Sequence, residues 1–312
     1  MATVLLNFAA KSLFILLFHD MAKYTNNVIT EERFPSMGFR RWLLEGDEFT
    51  PDFPELNSDE DLLKVKNISI YTLDYDDCRI ESIKGIELFQ NLEELILSES
   101  MGEYDDYLDG YITDDEKPSF TFASTIDLRQ NKMLERIHIS TFTEHIYADG
   151  LLFLNAIAVE CPLLKELTYD SRQLEYLCIY RYDGITTIDG SKYPKLNTLT
   201  FECCDNLTSI VFHQNSDLQV LNCCYDEELQ QLDLSGCPYL RCLGIEGSNK
   251  LTKVFIHTEV RDLTMSTDLK QWQGLGIIRL PAEFMSSFDI IEEPNDYMLL
   301  HRSRQEPSQQ EK

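Results

Sequence analysis

Residues 196–251 read LNTLTFECCDNLTSIVFHQNSDLQVLNCCYDEELQQLDLSGCPYLRCLGIEGSNKL. Stepping eleven residues at a time puts Leu196, Leu207, Leu218, Leu229, Leu240 and Leu251 in one column. Three residues after each come Leu199, Ile210, Leu221, Leu232, Leu243 and Val254, and two further on Phe201, Phe212, Cys223, Leu234, Ile245 and Ile256. The frame extends upstream through Leu174/Leu177/Ile179 and Ile185/Ile188/Gly190. The first two columns are aliphatic throughout, and Gly190 is the one third-column residue that cannot fill a core. Leu, Ile and Val make up roughly a quarter of ordinary sequence, so an unbroken double column is not chance.

The fourth and sixth positions of a unit differ by two, so both side chains leave the same face of a short strand. The residue between them points away and varies: Cys178, Asp189, Thr200, Val211, Asn222, Asp233, Gly244, Phe255. Asp205-Asn206, Asn215-Ser216, Gly236-Cys237-Pro238 and Gly247-Ser248-Asn249 are turn formers. Each eleven-residue unit is thus one strand and one turn, and two units make a 22-residue coil. A single unit cannot bury its own apolar face, but a stack can. The expected fold is an α/β-type repeat solenoid dominated by short parallel β-strands and capped at both ends.

Looser copies of the triplet occur upstream at Val65/Ile68/Ile70, Leu92/Leu95/Leu97, Ala123/Ile126/Leu128, Leu134/Ile137/Ile139, Leu154/Ile157/Val159 and Leu164/Leu167/Tyr169, and downstream at Val260/Leu263/Met265. These set the expected organisation: an apolar extension over 1–23, a helical cap over 24–64, the solenoid over 65–270 with an insertion at 98–122, a C-terminal cap over 271–300 and a disordered tail over 301–312. The extension contains the apolar run SLFILLF (12–18), flanked by Lys11 and His19-Asp20. It reads as a degraded export signal, a helix packed on the stack, or a non-native start ahead of Met21. The run is too short to span a membrane.

The segment IESIKGIELFQNLEELILS (80–98) resembles the start of an internalin-type bacterial leucine-rich repeat, and LDLSGCPYL (232–240) resembles the short repeats of gut-bacterial leucine-rich-repeat proteins. ITEERFPSMGFRRWLL (29–44) is similar to a helical element that precedes such repeats. The resemblance covers about residues 29–270. It implies the leucine-rich-repeat fold and, by analogy, a surface that binds other proteins. The acidic stretch 46–61 lacks the alternating Asp/Asn ligands and central Gly of an EF-hand loop, so calcium is not carried over.

The chain holds 54 acidic and 27 basic residues, a formal charge of −27. Such a surface repels phosphate backbones, which argues against nucleic-acid binding. It suits a basic protein partner, or it serves solubility alone. Nine cysteines are an odd number, and Cys203-Cys204 and Cys223-Cys224 are vicinal pairs with poor geometry for a shared zinc. Most fall inside the repeats as small core residues, which favours a reducing, cytoplasmic setting, with export to the cell surface as the alternative. His138 and His257 fall on outward strand positions, and no metal spacing, phosphate-cradling loop or nucleophile elbow appears. No enzyme, cofactor or metal site is expected.

Two surfaces are candidates for partner binding. The insertion SESMGEYDDYLDGYITDDEKPSFTF (98–122) interleaves Tyr104, Tyr107 and Tyr111 with Asp105, Asp106 and Asp109. Charge steers a partner, and tyrosine adds contact area at low entropic cost. The second is an outward row of Tyr176, Tyr180, Tyr182, Glu202, Tyr225 and Glu246. The expected function is a non-catalytic protein-binding scaffold with a basic or charge-complementary partner. The alternatives are an exported adhesion module contacting protein or glycan, and an acidic inhibitor or immunity-type protein.

Overall fold

A computed structural model describes residues 24–46, 53–72, 80–99, 123–213, 217–251, 253–257, 260, 262–266, 288–292 and 297–302. The insertion residues Tyr104, Asp105, Asp106, Tyr107, Asp109 and Tyr111 lie outside the described residues, as does the 1–23 extension. The chain divides into two compact units, Met1–Leu151 and Leu152–Lys312.

Among the described residues the first unit opens with helix α1 (Met37–Glu45), whose N-cap Ser36 accepts a hydrogen bond from the Phe39 N–H. Satisfying that end group fixes where the helix begins. α1 buries Phe39, Trp42 and Leu43. Phe34 packs edge-on to Phe39 at 5.9 Å and against Phe89 at 6.1 Å, bringing the N-terminal segment onto the first coils. Gly85 sits at φ 103°, and a Cβ there would lie 2.2 Å from the Phe34 ring, so only glycine admits this contact. Arg40 is fully buried. Its guanidinium donates to Phe34 O at 2.6 Å, Pro35 O at 2.9 Å and Tyr24 O at 3.1 Å, turning carbonyls that no regular element uses into a pinned entry. A short helix α2 (Asp59–Leu62) follows, started by a reciprocal Ser58–Asp61 capping box.

Five strands follow among the described residues of this unit: β1 (Asn67–Thr72), β2 (Glu94–Glu99), β3 (Thr125–Asp127), β4 (Arg136–Ser140) and β5 (His145–Ala148). β1, β2 and β4 pair in parallel, with Ile68 opposite Leu95 and Leu95 opposite Ile137. β3 and β5 form a second parallel pair, with Ile126 opposite Ile146. Sequence reading provides no triplet for β5. It is Thr143/Ile146/Ala148, all fully or almost fully buried. The Thr143 hydroxyl donates to Ala123 O at 2.8 Å and meets the Thr141 hydroxyl at 2.8 Å, so a threonine replaces leucine without leaving a buried polar group unmet.

The second unit contains β6 (Ala156–Glu160), β7 (Glu166–Tyr169), β8 (Tyr176–Tyr180), β9 (Thr187–Asp189), β10 (Thr198–Glu202), β11 (Ser209–Val211), β12 (Val220–Cys224), β13 (Gln231–Leu234), β14 (Cys242–Gly244), β15 (Lys253–Ile256) and β16 (Asp262–Ser266). β6, β8, β10, β12, β14 and β16 form one parallel ladder, and β9, β11, β13 and β15 another. Partners differ by 22 residues along the regular stretch, as in Leu177–Leu199–Leu221–Leu243 and Ile188–Ile210–Leu232–Val254. This is the predicted coil. All the first-, fourth- and sixth-position residues from Leu196 to Ile256 are at most 6% exposed. Gly190, the exception in the third column, is explained by its neighbour one coil on. A Cβ at Gly190 would lie 2.1 Å from Phe212 Cδ1, so the aromatic ring fills the space the glycine leaves.

Strands β17 (Phe288–Glu292) and β18 (Tyr297–Arg302) pair antiparallel, and β18 pairs antiparallel with β16. β18 carries the paired structure to Arg302, two residues into the segment expected as tail, because its backbone continues the ladder opposite Asp262.

Candidate binding face

The ladder β6-β8-β10-β12-β14 shows its outward side chains in three rows. The third-position row holds Ala156, Tyr176, Thr198, Val220 and Cys242. The fifth-position row holds Ala158, Cys178, Thr200, Asn222 and Gly244. The seventh-position row runs Glu160, Tyr180, Glu202 and Cys224. Glu246 stands one coil beyond Cys224, where its carbonyl accepts from the Tyr225 N–H at 2.6 Å.

The sequence-predicted row thus splits in four. Tyr180, Glu202 and Glu246 share the seventh-position row, all half-buried. Tyr176 stands across the strand in the third-position row and is 40% exposed. Tyr225 occupies the eighth position at φ 59°, with its hydroxyl donating to Glu246 Oε1 at 3.0 Å. Its ring lies where a Cβ on Gly247 would be, 2.4 Å away, so Gly247 makes room for it. Tyr182 corrects the expectation. It lies beyond the end of β8, is only 7% exposed, and its hydroxyl accepts from the Leu167 N–H at 3.3 Å. The reason is the left-handed Arg181 (φ 56°), which ends the strand alternation and turns the next residue inward.

That inward turn recurs. Arg181, Cys203, Tyr225 and Gly247 all have positive φ, one per coil. Behind them Tyr182, Cys204, Asp226 and Ser248 form a buried ninth-position column. Asp226 Oδ1 accepts from Cys204 N at 2.8 Å, and Ser248 Oγ accepts from Asp226 N at 3.3 Å and donates to Cys223 O at 2.7 Å. Asp226 Oδ2 is buried with no hydrogen-bond partner. Burial pushes the Asp226 carboxyl up to about 8, helped by Glu202 and Asp205 and opposed by the Cys204 N–H. Three of these ninth-position carbonyls also close a turn by accepting from the next unit's first residue: Leu207 to Cys204 at 2.9 Å, Leu229 to Asp226 at 3.0 Å and Leu251 to Ser248 at 3.2 Å.

The electrostatics of the face follow from partial burial. Tyr176 and Tyr180 flank the buried Cys178 thiol, and burial pushes Tyr176 up to about 12 and Tyr180 higher still, with the neighbouring thiol adding to both. Burial raises the Glu202 carboxyl, and the negative charge of Glu160 adds to the rise. Glu160 belongs to this row, yet the sequence reading passes over it. Its unit, begun at Leu154, and the next, begun at Leu164, are each ten residues long, so the eleven-residue frame carried upstream from Leu174 misses it. Burial also raises the thiols of Cys204 and Cys237 to about 12 and Cys224 to about 11, which keeps them protonated. His138 is exposed on β4, and His257 follows β15 half-buried. Among the described residues, no group of three or more His, Cys, Asp or Glu is placed to hold a metal ion, and no helix is long and apolar enough to cross a membrane.

Coils of 22 residues, parallel ladders and an aliphatic pattern of first, fourth and sixth positions define a leucine-rich-repeat-like solenoid. No family model matches the chain, and no curated protein does. Among solved structures, the functional domain of InlJ from Listeria monocytogenes, described as including a cysteine ladder, aligns at 16% identity with a TM-score of 0.34. The alignment covers 75% of this chain and 62% of that one, so the match takes in less than two thirds of the InlJ chain.

Proposed function

We propose that this chain is a non-catalytic protein-binding scaffold whose contact surface is the outward face of β6, β8, β10, β12 and β14. The observation that carries this reading is the alternation of Glu160, Tyr180, Glu202, Cys224 and Glu246 along one row of a rigid ladder. Neighbouring strands lie about 4.8 Å apart, so carboxylates on every second strand recur at about 10 Å. A basic segment lying across the strands meets a carboxylate at each such step, while Tyr176 and Tyr225 supply amphipathic contact area at the sides. The formal charge of −27 favours the same class of partner through long-range attraction. The insertion 98–122 supplies a second acidic and tyrosine-rich contact. The cytoplasm is the proposed compartment, supported by the buried thiols of Cys204, Cys223 and Cys237 within the repeats.

Affinity purification from the native host, followed by mass spectrometry at low and high salt, tests this. The expected result is a basic partner whose capture weakens steeply with salt. Capture that is indifferent to salt, or recovery of acidic partners only, contradicts it. Deleting 98–122 in a parallel arm shows how much of the affinity belongs to the insertion. Fractionation of the native cells checks the compartment.

A further inference from the structure

A second surface lies beside the binding face, where the chain enters the same ladder. Residues 175, 197 and 219 precede β8, β10 and β12, and residues 195, 217 and 239 lie three residues ahead of β10, β12 and β14, so the 22-residue coil stacks the two sets in parallel rows. Between the rows runs an open groove of 630 Å3 lined by Glu175, Lys195, Asn197, Asp217, Gln219 and Tyr239. Its size falls within the range of ligand clefts, but its walls are polar where most such clefts are apolar.

We propose that this groove binds a neutral oligosaccharide. Three observations point there. First, the lining is rich in planar groups. Asn197 and Gln219 offer amides, and Glu175 and Asp217 offer carboxylates. Amides pair donors with acceptors and carboxylates accept at two oxygens, which matches the adjacent hydroxyls of a sugar. Second, the Tyr239 ring is 59% exposed at the wall of the groove. An aromatic face offers a platform for the apolar C–H face of a sugar ring. Third, the charges nearly balance, with two carboxylates against Lys195, whose ammonium donates to Gln173 Oε1 at 2.6 Å. A strongly charged ligand finds no matching field.

The rows are also held in place before any ligand arrives. The Asn197 N–H donates to Glu175 O, the Gln219 N–H to Asn197 O and the Arg241 N–H to Gln219 O, each at 2.8 Å. The Asn197 amide is oriented by Asp217 O at 3.4 Å and the Thr198 hydroxyl at 3.2 Å, and retains a second N–H and a second lone pair. The groups repeat at the strand spacing of about 4.8 Å, close to the span of one pyranose ring, so successive sugars meet successive coils. Preorganised groups lose little freedom on binding.

The test uses the full chain with neutral trisaccharides of gluco, manno and galacto configuration, supplied one at a time at millimolar concentration. Saturation-transfer NMR detects contact and calorimetry measures affinity. At least one sugar is expected to bind saturably. Tyr239→Ala, a change at an exposed side chain, should weaken it about tenfold or more, and Gln219→Ala by about fivefold. Tyr239→Phe should retain most of the affinity because the platform survives. The proposal is overturned if none of the three sugars saturates, if Tyr239→Ala leaves binding unchanged, or if tetralysine displaces the bound sugar from the groove. None of these outcomes bears on the sheet-face reading, since the groove variants leave Tyr180, Glu202 and Glu246 intact.

Discussion

The two units achieve stacking by different means. In the second, from Leu174 to Ile256, one spacing recurs without interruption, and from Leu196 on each coil repeats the burial of the last. In the first, the triplets are spaced unevenly and particular groups stand in for the pattern. Arg40 ties three carbonyls, Asn131 donates to Ile86 O at 2.8 Å and Phe89 O at 3.2 Å, and Thr143 replaces a core leucine. Regular coils spread their stability over many equivalent aliphatic contacts, whereas the irregular unit also leans on a few buried polar groups that hold several backbone carbonyls, even where, as at Asn131, the Oδ1 is left without a partner. The failure of one such group therefore exposes several backbone partners at once.

The largest expected effect tests the regular unit. Phe212→Ala removes a fully buried ring and leaves Gly190 facing a void, at a cost of about 3–5 kcal/mol in urea unfolding. Gly190→Ala in the wild-type background should cost about 1–3 kcal/mol by overpacking. Together the two should cost clearly less than their sum, because the added methyl enters the space the ring vacates. Strict additivity would show that the two residues do not share one cavity.

Next comes the irregular unit. Arg40→Ala should cost about 3 kcal/mol, since the carbonyls of Tyr24, Phe34 and Pro35 lose their buried donor. Hydrogen exchange should then accelerate in residues 24–99 and stay unchanged in 196–256. Uniform acceleration through both stretches would break the contrast between the units.

Asp226 sets a pH-dependent effect that is smaller per pH unit. Its folded carboxyl titrates at about 8, well above the ordinary 3.8. Below about pH 4 both folded and unfolded states hold the proton, so stability is full there. As pH rises towards about 8 only the unfolded state ionises, and stability falls by at most about 1.4 kcal/mol per pH unit. Above about pH 8 the loss levels off. Asp226→Asn removes this slope, so the variant should gain on the wild type steadily as pH rises from 5 to 8. A stability difference that stays constant over that range would contradict the assignment.

The smallest effect on stability belongs to the proposed binding face. Tyr176→Ala should change unfolding by about 0.5 kcal/mol or less, as the side chain is 40% exposed, and any larger loss in a thermal melt would mark it as structural.

Much of the fold was legible because aliphatic residues at fixed spacing leave a mark that survives variation elsewhere. The first, fourth and sixth columns, the strand between them and the 22-residue coil all follow from it. The ninth-position column did not show, although it is buried just as deeply. Tyr182, Cys204, Asp226 and Ser248 share no chemistry, and what unites them is a backbone event, the positive φ of the residue before. Three of those preceding residues are Arg, Cys and Tyr, so the usual glycine signal is missing. The same event removed Tyr182 from the outward row. Strand β5 was hidden because Thr143 breaks an aliphatic column while obeying its geometry. On the binding face, Tyr176, Tyr180, Glu202, Tyr225 and Glu246 were reachable from register alone, but Glu160 needed the ten-residue units to be counted.

The central claim is that the outward face of the β8–β10–β12 ladder holds the partner. It is tested most directly by comparing two double variants for capture of the partner, with thermal melts confirming that both fold. One, Tyr176→Ala with Glu202→Lys, alters that face; the other, Phe255→Ala with Asp233→Lys, alters the β9–β11–β13–β15 ladder. The account predicts that the first variant loses capture by an order of magnitude or more, while the second keeps it. Capture that survives the first and is lost with the second would contradict it.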